Sequence, residues 1–192
     1  MKKAGVLSLQ GDFAAHGDAL ARAGAEPVYV RHPEQLAAID GLVIPGGEST
    51  TMLKLLNYEG WLEKLAEFGR AKPIFGTCAG AILLAKEVSN PAQPSLGLMD
   101  LGVERNAYGR QADSRVTSLD PSPEFTARTA PGKLEAVFIR APIIRRVGGD
   151  ARVLASFDGD PVLVEQGRHL AATFHPELTA DPRVHALFLE KL

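Results

Sequence analysis

Residues 73–88 read Pro-Ile-Phe-Gly-Thr-Cys-Ala-Gly-Ala-Ile-Leu-Leu-Ala-Lys-Glu-Val. Pro73 to Phe75 is a short apolar run of buried-strand character, and Gly80 to Val88 is expected to be a helix. Between them stands Gly76-Thr77-Cys78-Ala79-Gly80, the thiol counterpart of the Gly-x-Ser-x-Gly turn that presents a nucleophile above an α/β sheet. A tight strand-to-helix turn crowds the neighbours of its central residue, and glycine at 76 and 80 removes that crowding. A side chain held there stands at the carboxyl end of the sheet, where open α/β folds place their sites. The start of a helix also favours a thiolate. On this segment alone a plainer reading stays open, in which the lone cysteine is a small buried hydrophobe.

Upstream of this turn, strand and helix signals alternate. Ala4 to Leu9 is a short apolar run. Ala14, Ala15, Ala19, Leu20 and Ala23 follow at helical spacing, with Gly24 placed to stop that helix. Pro27 to Val30 and Leu42 to Ile44 read as strands, the latter ended by Pro45-Gly46-Gly47. Met52 to Phe68 reads as helix, divided at Gly60. This alternation predicts an α/β fold: a single-domain, three-layer arrangement over 1–192 with a central, mostly parallel sheet flanked by helices.

Downstream the character changes. Asn90 to Gly97 is turn-rich, and strand-like runs follow at Val103–Arg105, Arg115–Leu119, Leu134–Arg140, Arg152–Phe157, Pro161–Gln166 and His169–Phe174. Phe157-Asp158-Gly159-Asp160 is a hairpin-turn signal. Pro121 to Lys133 reads as a surface loop. Asp181 to Leu192 is expected to close the chain as a helix, with Val184, Leu187 and Phe188 on one face and Asp181 as its cap.

Composition narrows the function. A formal net charge of −2 over 192 residues gives no reason to expect nucleic acid or an anionic membrane as partner. One cysteine cannot form an internal disulfide and fits a reducing, cytoplasmic setting. The apolar stretch near the N-terminus is too short for a signal-peptide core. No apolar run approaches the ~20 residues that cross a bilayer. There is no Cys-x-x-Cys pair and no His-Glu-x-x-His helix, so no metal is expected, and none of the motifs calls for a cofactor.

A cysteine nucleophile needs a base, oriented by a third polar group. His175 lies in Thr173-Phe174-His175-Pro176-Glu177-Leu178, at the end of an apolar run. Pro176 is expected to hold His175 extended, and residues two apart in an extended segment point to the same side, so Glu177 can approach the imidazole. The alternative is a satisfied strand-end histidine beside a solvated glutamate. His16 and His185 fall on expected helices and read as surface or half-buried residues, and His32 precedes Pro33 in a loop.

Six segments taken together resemble the class I (triad-type) glutamine amidotransferase family. They are Gly5-Val6-Leu7-Ser8-Leu9-Gln10-Gly11, Pro45-Gly46-Gly47-Glu48-Ser49-Thr50-Thr51-Met52, Phe75 to Gly80, Val103-Glu104-Arg105-Asn106-Ala107-Tyr108-Gly109-Arg110-Gln111, Phe138-Ile139-Arg140-Ala141-Pro142, and Phe174 to Thr179. The whole chain is most similar to the branch that supplies ammonia for pyridoxal 5′-phosphate (vitamin B6) synthesis. The resemblance implies hydrolysis of L-glutamine to L-glutamate and ammonia by Cys78, His175 and Glu177. It implies that the partner, and the acceptor of the ammonia, is a separate pyridoxal 5′-phosphate synthase (lyase) subunit. It also implies glutamine contacts at Gly47, Glu48 and Ser49, at Arg105, and at Ile139 and Arg140.

Physical chemistry agrees with much of this. Backbone N–H groups of Gly47 and of Ala79, the residue after the nucleophile, are suited to face an oxyanion. An arginine suits the α-carboxylate of glutamine, although a surface salt bridge is the plain alternative for Arg105 and Arg140. Ile139 has only its backbone to offer a polar ligand. The resemblance implies that the synthase subunit builds its product from a pentose phosphate and a triose phosphate; this chain has no Gly-rich phosphate loop, so it is not expected to bind those sugars. The rival readings are a glutaminase for another synthase, such as imidazole glycerol phosphate synthase, a cysteine hydrolase of esters or peptides, and a binding module without chemistry.

Overall fold

Four short apolar runs and the last strand of the chain form the centre of the protein, and the rest is arranged around them. The computed structural model describes residues 1–107 and 114–192. In chain order the elements are β1 (Lys3–Leu7), α1 (Phe13–Arg22), β2 (Glu26–Val30), a 3₁₀ turn (Pro33–Ala38), β3 (Gly41–Ile44), α2 (Ser49–Leu56), α3 (Trp61–Ala71), β4 (Ile74–Thr77), α4 (Ala79–Leu84) and β5 (Ala85–Ser89). Then come β6 (Met99–Glu104), β7 (Arg115–Leu119), α5 (Pro123–Arg128), β8 (Leu134–Phe138), β9 (Ile143–Val147), β10 (Arg152–Phe157), β11 (Asp160–Gln166), β12 (His169–Ala172), a 3₁₀ turn (Pro176–Leu178) and α6 (Arg183–Leu189).

The main sheet has seven strands in the order β10-β11-β12-β4-β3-β1-β2. From β12 to β2 every pairing is parallel, and β10, β11 and β12 pair antiparallel. The alternation of side chains along each strand divides the core into two. Leu42, Ile44 and Ile74 face a cluster with Met52, Trp61, Leu65, Phe68 and Ile82 of α2, α3 and α4. Val6, Val43 and Phe75 face the other, with Leu20, Phe125, Val184, Leu187 and Phe188 of α1, α5 and α6. Buried on both faces, the central strands read as continuous apolar runs. The α/β expectation therefore holds, with a β5-β6-β9 sheet and a β7-β8 pair added beside the main sheet.

Several sequence expectations are corrected. The helix expected over Gly80–Val88 ends at Leu84, and Ala85 takes extended dihedrals of φ −66° and ψ 151°. Residues 85–89 instead pair in parallel with β6. Charged groups across these strands reward that choice: Lys86 lies 3.8 Å from Asp100, and Glu87 lies 3.3 Å from Arg146 of β9. β9 itself has no counterpart among the sequence expectations. Pro121–Lys133 is not a bare loop, because Ser122 caps α5 by accepting the Phe125 N–H at 3.2 Å and Phe125 is fully buried. The closing helix starts two residues later than expected. Its cap position is Pro182, while Asp181 accepts the Arg183 N–H at 3.0 Å from just outside. The hairpin at Asp158-Gly159 is as expected, with both residues at positive φ. No helix among the described residues is long and apolar enough to cross a membrane.

Candidate functional site

β4 and β12 lie side by side in parallel, with Thr77 opposite Ala172. Each strand carries one predicted residue just past its carboxyl end, Cys78 and His175. Cys78 departs sharply from strand geometry, at φ +51° and ψ −107°, and begins α4. That conformation costs a non-glycine residue of order 1–3 kcal/mol and persists only where its surroundings fix it. Here the Cys78 N–H donates to Ala172 O at 2.8 Å and the Cys78 carbonyl accepts from Ile82 N at 3.2 Å. The turn closes because a Cβ on residue 76 would meet Gly80 O at 2.4 Å, and one on residue 80 would meet Ile44 O at 2.1 Å. The Cys78 thiol lies 3.9 Å from the Ile139 carbonyl, which is the backbone contact left to that residue.

His175 is anchored by its N–H, which donates to Val137 O at 2.8 Å. Its approach to Glu177 differs from the expected extended geometry. His175 has φ −108° and ψ 85°, and Pro176–Leu178 then turns as a 3₁₀ helix. That turn brings Glu177 back under the ring, with His175 Nδ1 2.7 Å from Glu177 Oε1. Both residues are buried, which excludes the solvated glutamate. Burial pushes the imidazole pKa down, but hydrogen bonds and charge from Cys78 and Glu177 outweigh it and raise the pKa to about 10. With Nδ1 committed to Glu177, Nε2 is the nitrogen left for the thiol.

All the predicted site residues except Glu177 line one cleft of about 400 Å³: Gly47, Glu48, Ser49, Cys78, Ala79, Arg105, Ile139, Arg140 and His175. Glu177 sits behind His175, out of the cleft. Gly46 also lines it, and a Cβ there would meet the His175 ring at 2.6 Å and Cys78 Cβ at 3.1 Å, so only a bare backbone can pass so close to the pair. The cleft also includes Asp12, Asn106 and Pro142, which residue type alone does not single out. Of the matched 103–111 segment, Tyr108, Gly109, Arg110 and Gln111 lie outside the described residues.

The polar side chains are not equally free. The Glu48 carboxylate is turned back on its own helix, accepting from Thr50 N at 2.9 Å and Thr51 N at 2.7 Å. Desolvation raises its pKa, but these bonds outweigh it and hold the value at about 2. Glu48 therefore offers a ligand its backbone more readily than its carboxylate. Arg105 is buried rather than a surface ion-pair partner, donating to Thr50 Oγ1 at 3.0 Å with Glu48 Oε1 4.0 Å away. Arg140 is exposed at the cleft rim with φ +44°.

A strained cysteine on a strand-to-helix turn, beside a carboxylate-bound imidazole past the carboxyl end of a parallel sheet, is the arrangement expected of an α/β protein with a cysteine nucleophile. The chain belongs to the SNO glutamine amidotransferase family, whose model matches residues 6–192. It is 71% identical, over the full length of both chains, to the pyridoxal 5′-phosphate synthase subunit PdxT of Solibacter usitatus. To the protein of the same name from Thermotoga maritima it is 50% identical over 98% of each chain. A solved structure of a glutamine amidotransferase matches with a TM-score of 0.86 at 47% identity, covering 98% of this chain and 97% of that one. A chain in the solved structure of PurLQS from Thermotoga maritima shares the fold, at 19% identity and a TM-score of 0.76 over 98% of each chain.

Proposed function

We propose that this chain is the glutaminase subunit of a pyridoxal 5′-phosphate synthase: it hydrolyses L-glutamine to L-glutamate and ammonia and supplies the ammonia to a synthase subunit. The observation that carries the chemistry is the 2.7 Å pairing of His175 Nδ1 with Glu177 beside Cys78. The partner follows from the full-length similarity to subunits of that synthase.

In this mechanism the Cys78 thiolate attacks the side-chain carbonyl carbon of glutamine. The Gly47 and Ala79 N–H groups stabilise the resulting oxyanion. The His175 imidazolium gives its proton to the departing nitrogen, leaving ammonia and a γ-glutamyl thioester. His175 then takes a proton from water, whose oxygen attacks the thioester and releases glutamate and the thiol. Glu177 holds the ring and the charge it acquires. Gly47, Glu48 and Ser49, with Ile139 and Arg140, frame the substrate, and the compartment is the cytoplasm.

Arg105 is assigned to the α-carboxylate of glutamine. Arg105→Ala is expected to weaken kcat/KM for glutamine by ~2 kcal/mol or more. The loss should shrink for an analogue without that carboxylate. Equal losses on both substrates would make the Thr50 hydrogen bond, and hence loop structure, the role of Arg105.

The test of the function is glutamate release by the chain alone and with the synthase subunit at saturation, together with pyridoxal 5′-phosphate formation from glutamine. Gly46-Gly47 can carry its peptide in two orientations, and one oxyanion donor is worth ~3 kcal/mol. Activity should therefore rise about a hundredfold on adding the partner. Glutamate release unchanged by a partner shown to bind would refute the switch, and none in either case would refute the glutaminase.

A further inference from the structure

Behind Glu177 lies a group of polar side chains that no step of this mechanism uses. His16 of α1 and His185 of α6 are fully buried, correcting the expectation that they are surface or half-buried residues. His16 Nδ1 is 3.0 Å from His185 Nε2, and His16 Nε2 is 3.1 Å from Thr77 Oγ1. The same Nε2 stands 3.4 Å from Glu177 Oε2. That oxygen is the one not taken by His175, and among the described residues it makes no regular hydrogen bond. His185 Nδ1 is likewise buried without a partner among the described residues.

Proton bookkeeping selects one arrangement. If His16 carried its proton on Nδ1, His185 would have to accept it at Nε2 and keep its own proton on Nδ1. That N–H would be a buried donor with no acceptor, and a bare His16 nitrogen would face a carboxylate oxygen. Both cost free energy. In the other arrangement His185 Nε2–H donates to His16 Nδ1, and His16 Nε2–H donates to Thr77 Oγ1 with Glu177 Oε2 beside it. Only a lone pair is then left unpaired, on His185 Nδ1. The chain of donors runs in one direction, from His185 through His16 to Thr77, and its positive end lies beside Glu177.

We infer that His16 is a positioning residue for the triad: its Nε2–H, bonded to Thr77 Oγ1, stands 3.4 Å from the second oxygen of Glu177 as its nearest polar neighbour, and His185 fixes the tautomer that puts the proton on that side. This rests on the triad reading and deepens it. A buried carboxylate with one oxygen bonded and no polar neighbour for the other is freer to rotate, and rotation loosens its hold on the His175 imidazolium. The charged and titratable groups around the pair are Glu177, His175 and Cys78 on the cleft side, His185 from α6, and Arg22 from α1 acting on His185. Burial, reinforced by the charge of His175 at His16 and of Arg22 at His185, keeps both helix histidines neutral: His16 falls well below its ordinary pKa and His185 falls to about 3.

The test compares His16→Leu with His16→Gln, whose side-chain amide can place an N–H near the position of Nε2, both assayed with the synthase subunit present. His16→Leu is expected to lower kcat for glutamine roughly 10- to 100-fold with KM little changed. The alkaline limb of its kcat–pH profile should move to lower pH, because the His175 imidazolium that Glu177 supports is less well held. His16→Gln should restore most of both. A merely structural role would lower the melting temperature in both variants and leave the limbs of the profile where they were, and that result would overturn the inference. Nitrogen NMR of the labelled histidines in the unaltered protein decides independently of how the variants fold. A neutral Nε2–H tautomer at His16 is expected, and an Nδ1–H or doubly protonated ring would refute the inference. Cys78→Ala tests the underlying triad separately.

Discussion

Cys78→Ala abolishes glutamine hydrolysis, with an expected loss of roughly 10⁴-fold or more, while the fold persists. No other side chain can form the thioester, because Cys78 is the chain's one cysteine. The fold is insensitive for two reasons. Removing a sulfur beside an open cleft leaves a small cavity, costing ~1 kcal/mol. Alanine at φ +51° bears the same Cβ strain that cysteine already bears, so the backbone is asked for nothing new. Glutamate release and a thermal melt on the same preparation check both halves. A well-folded Cys78→Ala protein with near-normal activity would remove the nucleophile from the mechanism.

The second large effect is at the base. His175→Asn is expected to be nearly as damaging, since nucleophile and base act as one unit and their losses do not add. Glu177→Gln should retain about 10- to 100-fold more activity than His175→Asn, because the orienting group is the least essential of the three. The geometry gives this a direction. Glu177 Oε1 accepts from Nδ1 at 2.7 Å, and an amide at that place either keeps an acceptor there or turns a donor toward the ring and selects the wrong tautomer. Steady-state rates on the two variants test the order. Near-normal His175→Asn beside a dead Glu177→Gln would mean the roles are misassigned.

What is legible in the sequence is local. Gly76-Thr77-Cys78-Ala79-Gly80 and His175-Pro176-Glu177 each carry their chemistry within a few residues, and the cleft brings Cys78 and His175 together as expected. What it hides is tertiary. Ala85–Val88 has helical composition, and only its partner strands and their charges draw it into a sheet. Residue type makes His16 and His185 read as surface residues. Yet His16 stands at i−3 and i−4 from the buried Ala19 and Leu20, and His185 lies between the buried Val184 and Leu187. The spacing is a usable signal that the residue names conceal. Glu48 and Arg140 show the opposite limit, because a matched motif says which residues gather at a site but not which way each side chain is turned.

The pairing of β4 with β12 has a consequence for how the enzyme comes into being. The two strands meet across about half the chain, yet just past their ends stand Cys78 and His175, the proposed nucleophile and base. Closing so long a loop is entropically costly, and although β4 can pair with β3 and β12 with β11 beforehand, the contact between β4 and β12 forms only when it is done. While the protein is being synthesised, Cys78 emerges well before any base that could activate it, and stays an ordinary thiol until the last strand docks. A register slip of one residue would turn every β12 side chain to the opposite face, so a misfolded chain is also a silent one. Reactivity is thus withheld during synthesis by topology alone, and it becomes available only once folding is complete.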